Sequence, residues 1–461
     1  MPVAAPDAAP QNPTGPAKPA ASSDAVTGNQ CDGSSANLAA GVVEASCFSV
    51  QYRRPSADPT ADPAVPTRNG QVADNYDLIS SVLPARSHGA PTDATGAATL
   101  DDWDLAIDVH LPTTDAQVLA VAWLLEDAGA LNVFPQTTTA DLVQFVSVVA
   151  ANYNAPPFHR FTHALSVAQA AHVMVRTFNV KEELSKEAVV MLLVAGACHD
   201  VDHQGFTNMY HCATESDLAT MYNNTCPMEN HHAAVTNALL QSEFSPLRHL
   251  DAATARQFRA GVTQLILATD MGKHESILVQ GARVPPVTSS NGIEQWDALQ
   301  RMAFLQVLLK AADLSNELRA APVADPWSAA LYRELNHEQD VLGRARLDTG
   351  AAAAAAGQIE FLQLKVVPIV MTLATVLGAE RAAPVVDRVN AAVARHQQRL
   401  AAAAGGAMSA DSSSSDLEES RESVSETLPG PTAAGRRASA PGGTRTESPA
   451  RRRFSIATSD Y

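Results

Sequence analysis

Apolar residues recur at helical spacing through the middle of the chain, and the segments that carry them open and close with helix signals. "TTDAQVLAVAWLLEDAG", from Thr113, begins with a Thr-Thr-Asp cap signal and ends at Gly129, and "TTTADLVQFVSVVAANY", from Thr137, repeats the device. "AVVMLLVAGAC", Ala188 to Cys198, is apolar all round, which predicts a buried helix. Alternating strand patterns are scarce, and "SNGIEQ" around Asn291 reads as a polar loop between helices. Residues 99 to 404 therefore predict one all-α, compact multi-helix domain without internal repeats. The run "AAAAAAG" at 351 to 357 reads as a low-complexity loop or the start of a helix.

The flanks have a different character. Residues 1 to 98 are rich in Pro, Ala, Ser, Asp and Gly with no sustained periodicity, which predicts a disordered N-terminal tail. From 405 to 461 a Ser-rich acidic block gives way to an Arg-rich one, which predicts a second disordered tail. The opening "MPVAAPDAAPQNPTGPAKPA" has no apolar core of a signal peptide, and Ala188 to Cys198 falls far short of the roughly 20 residues of a membrane helix. We expect a cytoplasmic protein with no membrane span.

Composition narrows the partners. The chain carries 49 Asp plus Glu against 32 Lys plus Arg, a net charge of -17, which argues against a surface built for nucleic acid. An anionic substrate then needs local cations such as bound metal. The five cysteines are odd in number, scattered and without a CxxC pair, so neither a disulfide framework nor a structural zinc knuckle is predicted.

Four stretches hold metal-ligand residues on helices or at their ends. In "FHRFTHALSVAQ", His159 and His163 are four apart and share a helix face. "CHDVDHQG" places His199, Asp200, Asp202 and His203 directly after the most apolar helix. Glu229, His231 and His232 open a helix in "ENHHAAVTNALL", and Asp313 closes one in "LKAADLSN". A single histidine on a helix is ordinarily just a core or surface residue. Several ionisable groups beside the most apolar helices are costly unless paired or metal-bound, so the set together points to a metal centre. Imidazoles with carboxylates suit zinc, and a carboxylate with mostly water suits magnesium or manganese. Two ions sharing one carboxylate ionise a water near neutral pH for in-line attack on phosphorus.

The run "HDVDHQG", with "FHRFTHA" upstream and "YNNTCPMENHH", "LATDMGKH" and "ADLSN" downstream, resembles the catalytic domain of class I 3',5'-cyclic-nucleotide phosphodiesterases, within the wider group of HD-type metal phosphohydrolases. The resemblance covers roughly 100 to 400, including "LDDWDLAID" and "GQIEFLQLKVVPIV". It implies that His163, His199, Asp200 and Asp313 bind a tight metal, zinc, with Asp200 bridging to a second ion, Mg2+ or Mn2+. It implies further that His203, Glu229 and Thr269 orient waters on that ion. His159 is then the general acid, with Glu334 as its partner. Gln358 matches the purine-binding glutamine and Phe361 the stacking aromatic, with Leu331 closing the clamp and Asn316 at the purine edge.

Three positions depart from the family pattern. Arg160 stands where Asn is usual, Glu360 where Gly is usual, and Phe158 where Tyr is usual; none is a metal ligand. The resemblance implies a metal-dependent hydrolase that converts a 3',5'-cyclic nucleotide, cAMP before cGMP, to the 5'-monophosphate and ends cyclic-nucleotide signalling. The alternative is a catalytically silent, phosphodiesterase-like binding or scaffold protein, against which the retained His159 and the full ligand set both argue. "RRAS" and "RRRFS" resemble substrates of cAMP-dependent protein kinase, which makes Ser439 and Ser455 expected phosphorylation sites.

Overall fold

Thr113, Thr138 and Ser185 each accept a hydrogen bond from a backbone N–H of the first turn that follows, and so start three of the helices that frame the site. Such caps stabilise a helix by about 0.5–2 kcal/mol. The structure, a computed structural model, describes residues 99–418 apart from position 289, with side chains described as far as Ala404. The expected N-terminal tail and both tail serines, Ser439 and Ser455, lie outside the described residues.

Among the described residues there is no strand, only an isolated bridge between Thr288 and Asn291. The helices used below are α1 (Thr114–Asp127), α2 (Thr139–Ala151), α3 (Phe161–Thr177), α4 (Lys186–Cys198), α5 (Asn208–Ala213), α6 (Pro227–Leu239), α7 (Ala252–Ile266), α8 (His274–Gly281), α9 (Ala298–Asp313), α10 (Ala321–Val341), α11 (Ala351–Phe361), α12 (Val367–Leu377) and α13 (Ala379–Glu418).

Helix α4 is the centre of the packing: every residue from Ala188 to Cys198 is buried, as its all-round apolarity predicts. It lies against α3, and α9 crosses both. A Cβ at Gly196 would meet the Ala168 Cα at 3.3 Å, so glycine there lets α4 approach α3 closely. That approach brings the end of α4, where His199 follows, opposite His163 on α3.

A buried cation ties the N-terminal segment to this core. Arg319, 1% exposed, donates to Trp103 O, Ser166 O, Ser166 Oγ and Gln169 Oε1, at distances of 2.7 to 3.2 Å. Through it "LDDWD" is fastened to α3 one turn beyond His163. Arg388 of α13 forks onto Asp104 of the same segment, at 3.0 and 3.1 Å.

The alanine run belongs to a helix. Helix α11 passes through a π turn at Leu362–Val366 into α12. The continuous run Ala351–Leu377 is long and apolar enough, by length and composition alone, to cross a membrane. Its Leu362, Val366, Ile369, Val370, Leu373, Val376 and Leu377 belong to the main core of this domain, packed with α9 and α13. Helix α13 itself runs past the expected boundary at Ala404 to Glu418.

Candidate active site

Three separate stretches deliver the metal-ligand residues to one point. His163 comes from the first turn of α3, His199 and Asp200 from the chain leaving α4, and Asp313 from the last residue of α9. His199 Nε2 lies 3.0 Å from Asp200 Oδ2 and 3.3 Å from Asp313 Oδ1. His163 Nε2 lies 3.2 Å from Asp313 Oδ1 and 3.5 Å from Asp200 Oδ2.

The donor set fits a divalent cation. His199 Nδ1–H donates to Gly196 O at 2.9 Å, which leaves Nε2 as the lone pair. That Nε2 is buried and makes no hydrogen bond despite its two close carboxylates. Close approach without hydrogen-bond alignment is what donor atoms show when they converge on a shared point. Burial opposes charge on His199, but the Asp200 and Asp313 carboxylates outweigh it and raise its pKa well above the usual value. Asp200 and Asp313 are themselves held below the usual carboxylate range, although burial opposes this, chiefly by the field of His199. A site with this field attracts a divalent cation in place of a proton.

Beside the cluster, His159 and Glu334 form a pair. His159 Nδ1 and Glu334 Oε1 are in hydrogen-bond contact, and Glu334 Oε2 accepts from the backbone N–H groups of Phe158 and His159 at 2.8 and 3.2 Å. Glu334 is 4% exposed and His159 24%, so the imidazole faces the open side. Burial would lower the His159 pKa, but the Glu334 carboxylate outweighs it, with help from Asp200 and Asp313, and the pKa is raised. The His203 ring stacks on His159 with centroids 4.0 Å apart, and on its far side faces His232 at 5.5 Å. Gly205 N–H donates to His203 Nδ1, and burial, followed by the His159 charge, keeps His203 neutral.

The remaining expected residues divide. Glu229 is held by the Asn208 amide at 2.9 and 3.2 Å, and burial followed by the Asp270 charge pushes its pKa up to about 7. Thr269 is buried; its hydroxyl donates to Ile266 O. Asn316 Oδ1 accepts from the Ser166 hydroxyl at 3.4 Å. Leu331 packs against the small cluster of Phe158, Val323, Trp327 and Ala330, and the Trp327 ring edges His163 at 5.9 Å. Phe361 packs against the main core instead. Gln358 lines a cavity of about 900 Å³ between α10, α11 and α13, with Ser328, Tyr332 and Asn336. Of the dense cluster after α4, Asp202 turns aside: its φ of 63° is left-handed, and its carboxylate meets His231 and Asn154. Arg160 reaches Asp108 at 3.1 and 3.2 Å rather than the His159 pair.

Two further residues stand at the site: His232, already picked out with His231 in the sequence, and Lys310, which carried little sequence signal. His232 Nε2 stands 3.8 Å from Asp200 Oδ1, its Nδ1–H fixed on Val201 O at 2.7 Å. Lys310, 0% exposed, donates to Ala268 O, Thr269 O and Asp270 O at 3.3, 2.9 and 2.9 Å, and burial lowers its pKa to about 8. The one hint was a lysine inside an apolar helix one turn before Asp313, since lysine is rarely buried without partners.

Residues 158–389 match the model of the 3'5'-cyclic nucleotide phosphodiesterase family. Among curated proteins, the chain is 31% identical over 276 residues to human high affinity cGMP-specific 3',5'-cyclic phosphodiesterase 9A, covering 58% of this chain and 45% of that protein. It is 31% identical over 230 residues to rat 3',5'-cyclic-AMP phosphodiesterase 4C, covering 49% of this chain and 43% of that protein. The chain thus spans about half, or less, of the curated relatives it matches. Among solved structures it resembles the phosphodiesterase domain of a RhoPDE fusion protein from the choanoflagellate Salpingoeca rosetta. That likeness has a TM-score of 0.60 and 25% identity, over 67% of this chain and 98% of the other. With the family's match running from Phe158 beside the histidine pair to Val389 on α13, this chain belongs to the 3'5'-cyclic nucleotide phosphodiesterase family.

Proposed function

We propose that this chain hydrolyses 3',5'-cyclic purine nucleotides to 5'-monophosphates. The observation that carries the reading is the pairing of two devices: a convergent His163–His199–Asp313 donor set with Asp200 beside it, and a carboxylate-backed imidazole, His159, whose ring lies 5.8 Å from that of His163. His163, His199, Asp200 and Asp313 would hold zinc, with Asp200 also reaching Mg2+ or Mn2+, and these ions would neutralise the cyclic phosphate and supply a water ionised near neutral pH. Water adds to phosphorus, the P–O3' bond breaks, and O3' leaves with a proton. Glu334 holds the Nδ1 side of His159, so Nε2–H is the proton given to O3'. Glu229, His203 and Thr269 support the water ligands of the second ion.

Gln358 recognises the base, with Phe361, Leu331 and Asn316 around it. Its amide makes no hydrogen bond within the described side chains and can present either end to adenine or guanine. The reading is therefore a purine pocket that takes cAMP first and accepts cGMP as well. The test offers each nucleotide separately to purified protein with Mg2+, with and without chelator, and follows 5'-monophosphate. Turnover of neither, or turnover indifferent to chelator, defeats the proposal.

Phosphorylation of Ser439 or Ser455 by cAMP-dependent protein kinase is supported by the "RRAS" and "RRRFS" patterns alone. Each phosphate adds about -1.5 to -2 charges to a basic stretch. Mapping phosphosites after incubation with the kinase and ATP decides it: no incorporation at either serine ends the idea.

A further inference from the structure

The turn that follows the metal-ligand residue Asp313 is gripped from α13. It runs over Leu314–Leu318 as a 3-10 helix, with Asn316 half-buried between the buried Ser315 and Glu317. Three residues at i, i+7 and i+8 on α13, and so on one face of it, reach this turn. Arg388 donates to Leu318 O at 3.1 Å, Arg395 to Glu317 O at 2.9 Å and to Arg319 O at 3.1 Å, and His396 Nε2 to the Glu317 carboxylate at 2.8 Å. The same carboxylate oxygen accepts from Arg395 at 3.0 Å, and the other accepts from the Ser328 hydroxyl of α10. Glu317 is 5% exposed and His396 3%. Burial would raise the Glu317 pKa, but the bonds from His396 and Ser328 outweigh it and hold the group below the usual glutamate value.

Cohesion alone does not call for such a network, since apolar side chains of similar volume often stabilise a core as well or better. What it supplies is direction: bonds from two helices fix the backbone on one side of Asn316. The Asn316 amide is held only loosely on its own account, by the Ser166 hydroxyl at 3.4 Å, so its placement follows that backbone. Asp313, by contrast, is the last residue of α9 and is placed by its helix. We infer that Glu317 is a positioning residue for nucleotide binding, which locks the turn carrying Asn316 onto α13 and α10. The inference rests on the reading of Asn316 at the purine edge. It assigns Glu317 to substrate affinity and not to bond breaking, because the partners of its carboxylate, Ser328, Arg395 and His396, include neither a metal-ligand residue nor the His159–Glu334 pair.

The experiment is a double-mutant cycle in the full chain with Mg2+: wild type, Asn316→Ala, Glu317→Gln and the double variant, with kcat and KM for cAMP and cGMP and bound metal measured in each. Asn316→Ala should raise KM for the hydrolysed nucleotide by about tenfold. Glu317→Gln keeps the shape of the side chain without its charge, and should raise KM by about fivefold with kcat within about twofold of wild type and bound metal retained. In the Asn316→Ala background the same change should add less than about twofold, because a residue that acts through Asn316 has nothing left to place. His396→Phe withdraws a donor of α13 without touching the turn and should follow the same pattern; either variant that folds decides the reading. An effect on KM that persists in full without Asn316, a KM that does not move, or loss of bound metal overturns the positioning role and leaves the base site standing. An Asn316→Ala enzyme with unchanged KM for both nucleotides overturns Asn316 as a purine contact and the inference with it, and a wild type that turns over neither nucleotide removes the reading on which both rest.

Discussion

His159 and Glu334, 175 positions apart in the chain, meet through Nδ1 and Oε1, while the second Glu334 oxygen takes the backbone N–H groups of Phe158 and His159. One carboxylate thus fixes both the backbone and the ring of the proposed acid. The Glu334 charge raises the His159 pKa against the effect of burial, and Asp200 and Asp313 add to it. Cations bound at those two aspartates cancel their share but not that of Glu334. The Glu334 carboxylate therefore favours the acid form of His159, and the alkaline limb of kcat/KM should depend on it. Glu334→Gln should move that limb to lower pH. An unmoved limb in that variant would assign the proton to another group.

His159→Ala tests the same residue from the side of metal binding. Its ring hydrogen-bonds Glu334 and stacks on His203, and it shares no close contact with the Asp200 or Asp313 oxygens. Turnover should fall by about 10²- to 10⁴-fold, the range for a positioned acid, with bound metal retained. Metal analysis of the purified variant checks it, and lost metal would make His159 a ligand.

Asp200→Ala should remove both metal and activity. Asp200 Oδ2 sits within 3.5 Å of His163 Nε2 and His199 Nε2, and its Oδ1 faces His232, so no neighbouring carboxylate can cover both sides. Activity with near wild-type turnover would falsify the shared-carboxylate arrangement.

Glu229 supplies a pH dependence of metal activation. Its pKa, pushed up to about 7 by burial and then by Asp270, means that the proton competes with a nearby cation in the neutral range. A raised carboxylate pKa keeps the group neutral below that value. The Mg2+ concentration for half-maximal activity should therefore rise as pH falls through about 7. Titrations at several pH values should lose this slope in Glu229→Gln; a slope that survives would place the competing proton elsewhere.

The parts of this molecule legible in its sequence are those set by local rules. Caps at Thr113, Thr138 and Ser185, and the all-round apolarity of Ala188 to Cys198, define helices within a few residues of themselves. The histidines and aspartates at the ends of apolar helices announce a metal centre because burial without a ligand would be costly. What stayed hidden depends on distant partners or on missing volume. Asp202 looks like a member of the cluster until its left-handed backbone turns it to His231. The alanine run shows neither the π turn that joins α11 to α12 nor the groove that it lines together with side chains of α10 and α13.

Lys310 belongs to the hidden class, and its role can be isolated. Its ammonium is fully buried, and its three N–H groups go to the carbonyls of Ala268, Thr269 and Asp270, 40 to 42 positions away. It thereby clamps the turn after α7 onto α9, one helical turn before Asp313. Lys310→Met keeps most of the side-chain volume but takes this donor from the Ala268 and Thr269 carbonyls, while Asp270 O keeps the Lys273 N–H at 3.2 Å. The loss should be roughly 1–3 kcal/mol of stability, the cost of unsatisfied buried polar groups. Because the clamped turn carries Thr269 and Asp270, and Asp270 faces Glu229, the Mg2+ requirement should rise as well. Urea unfolding read beside Mg2+ activation separates the two effects. A variant that unfolds at a lower urea midpoint yet needs no more Mg2+ would confine Lys310 to the core, and one unchanged in both would show that the two carbonyls find water instead.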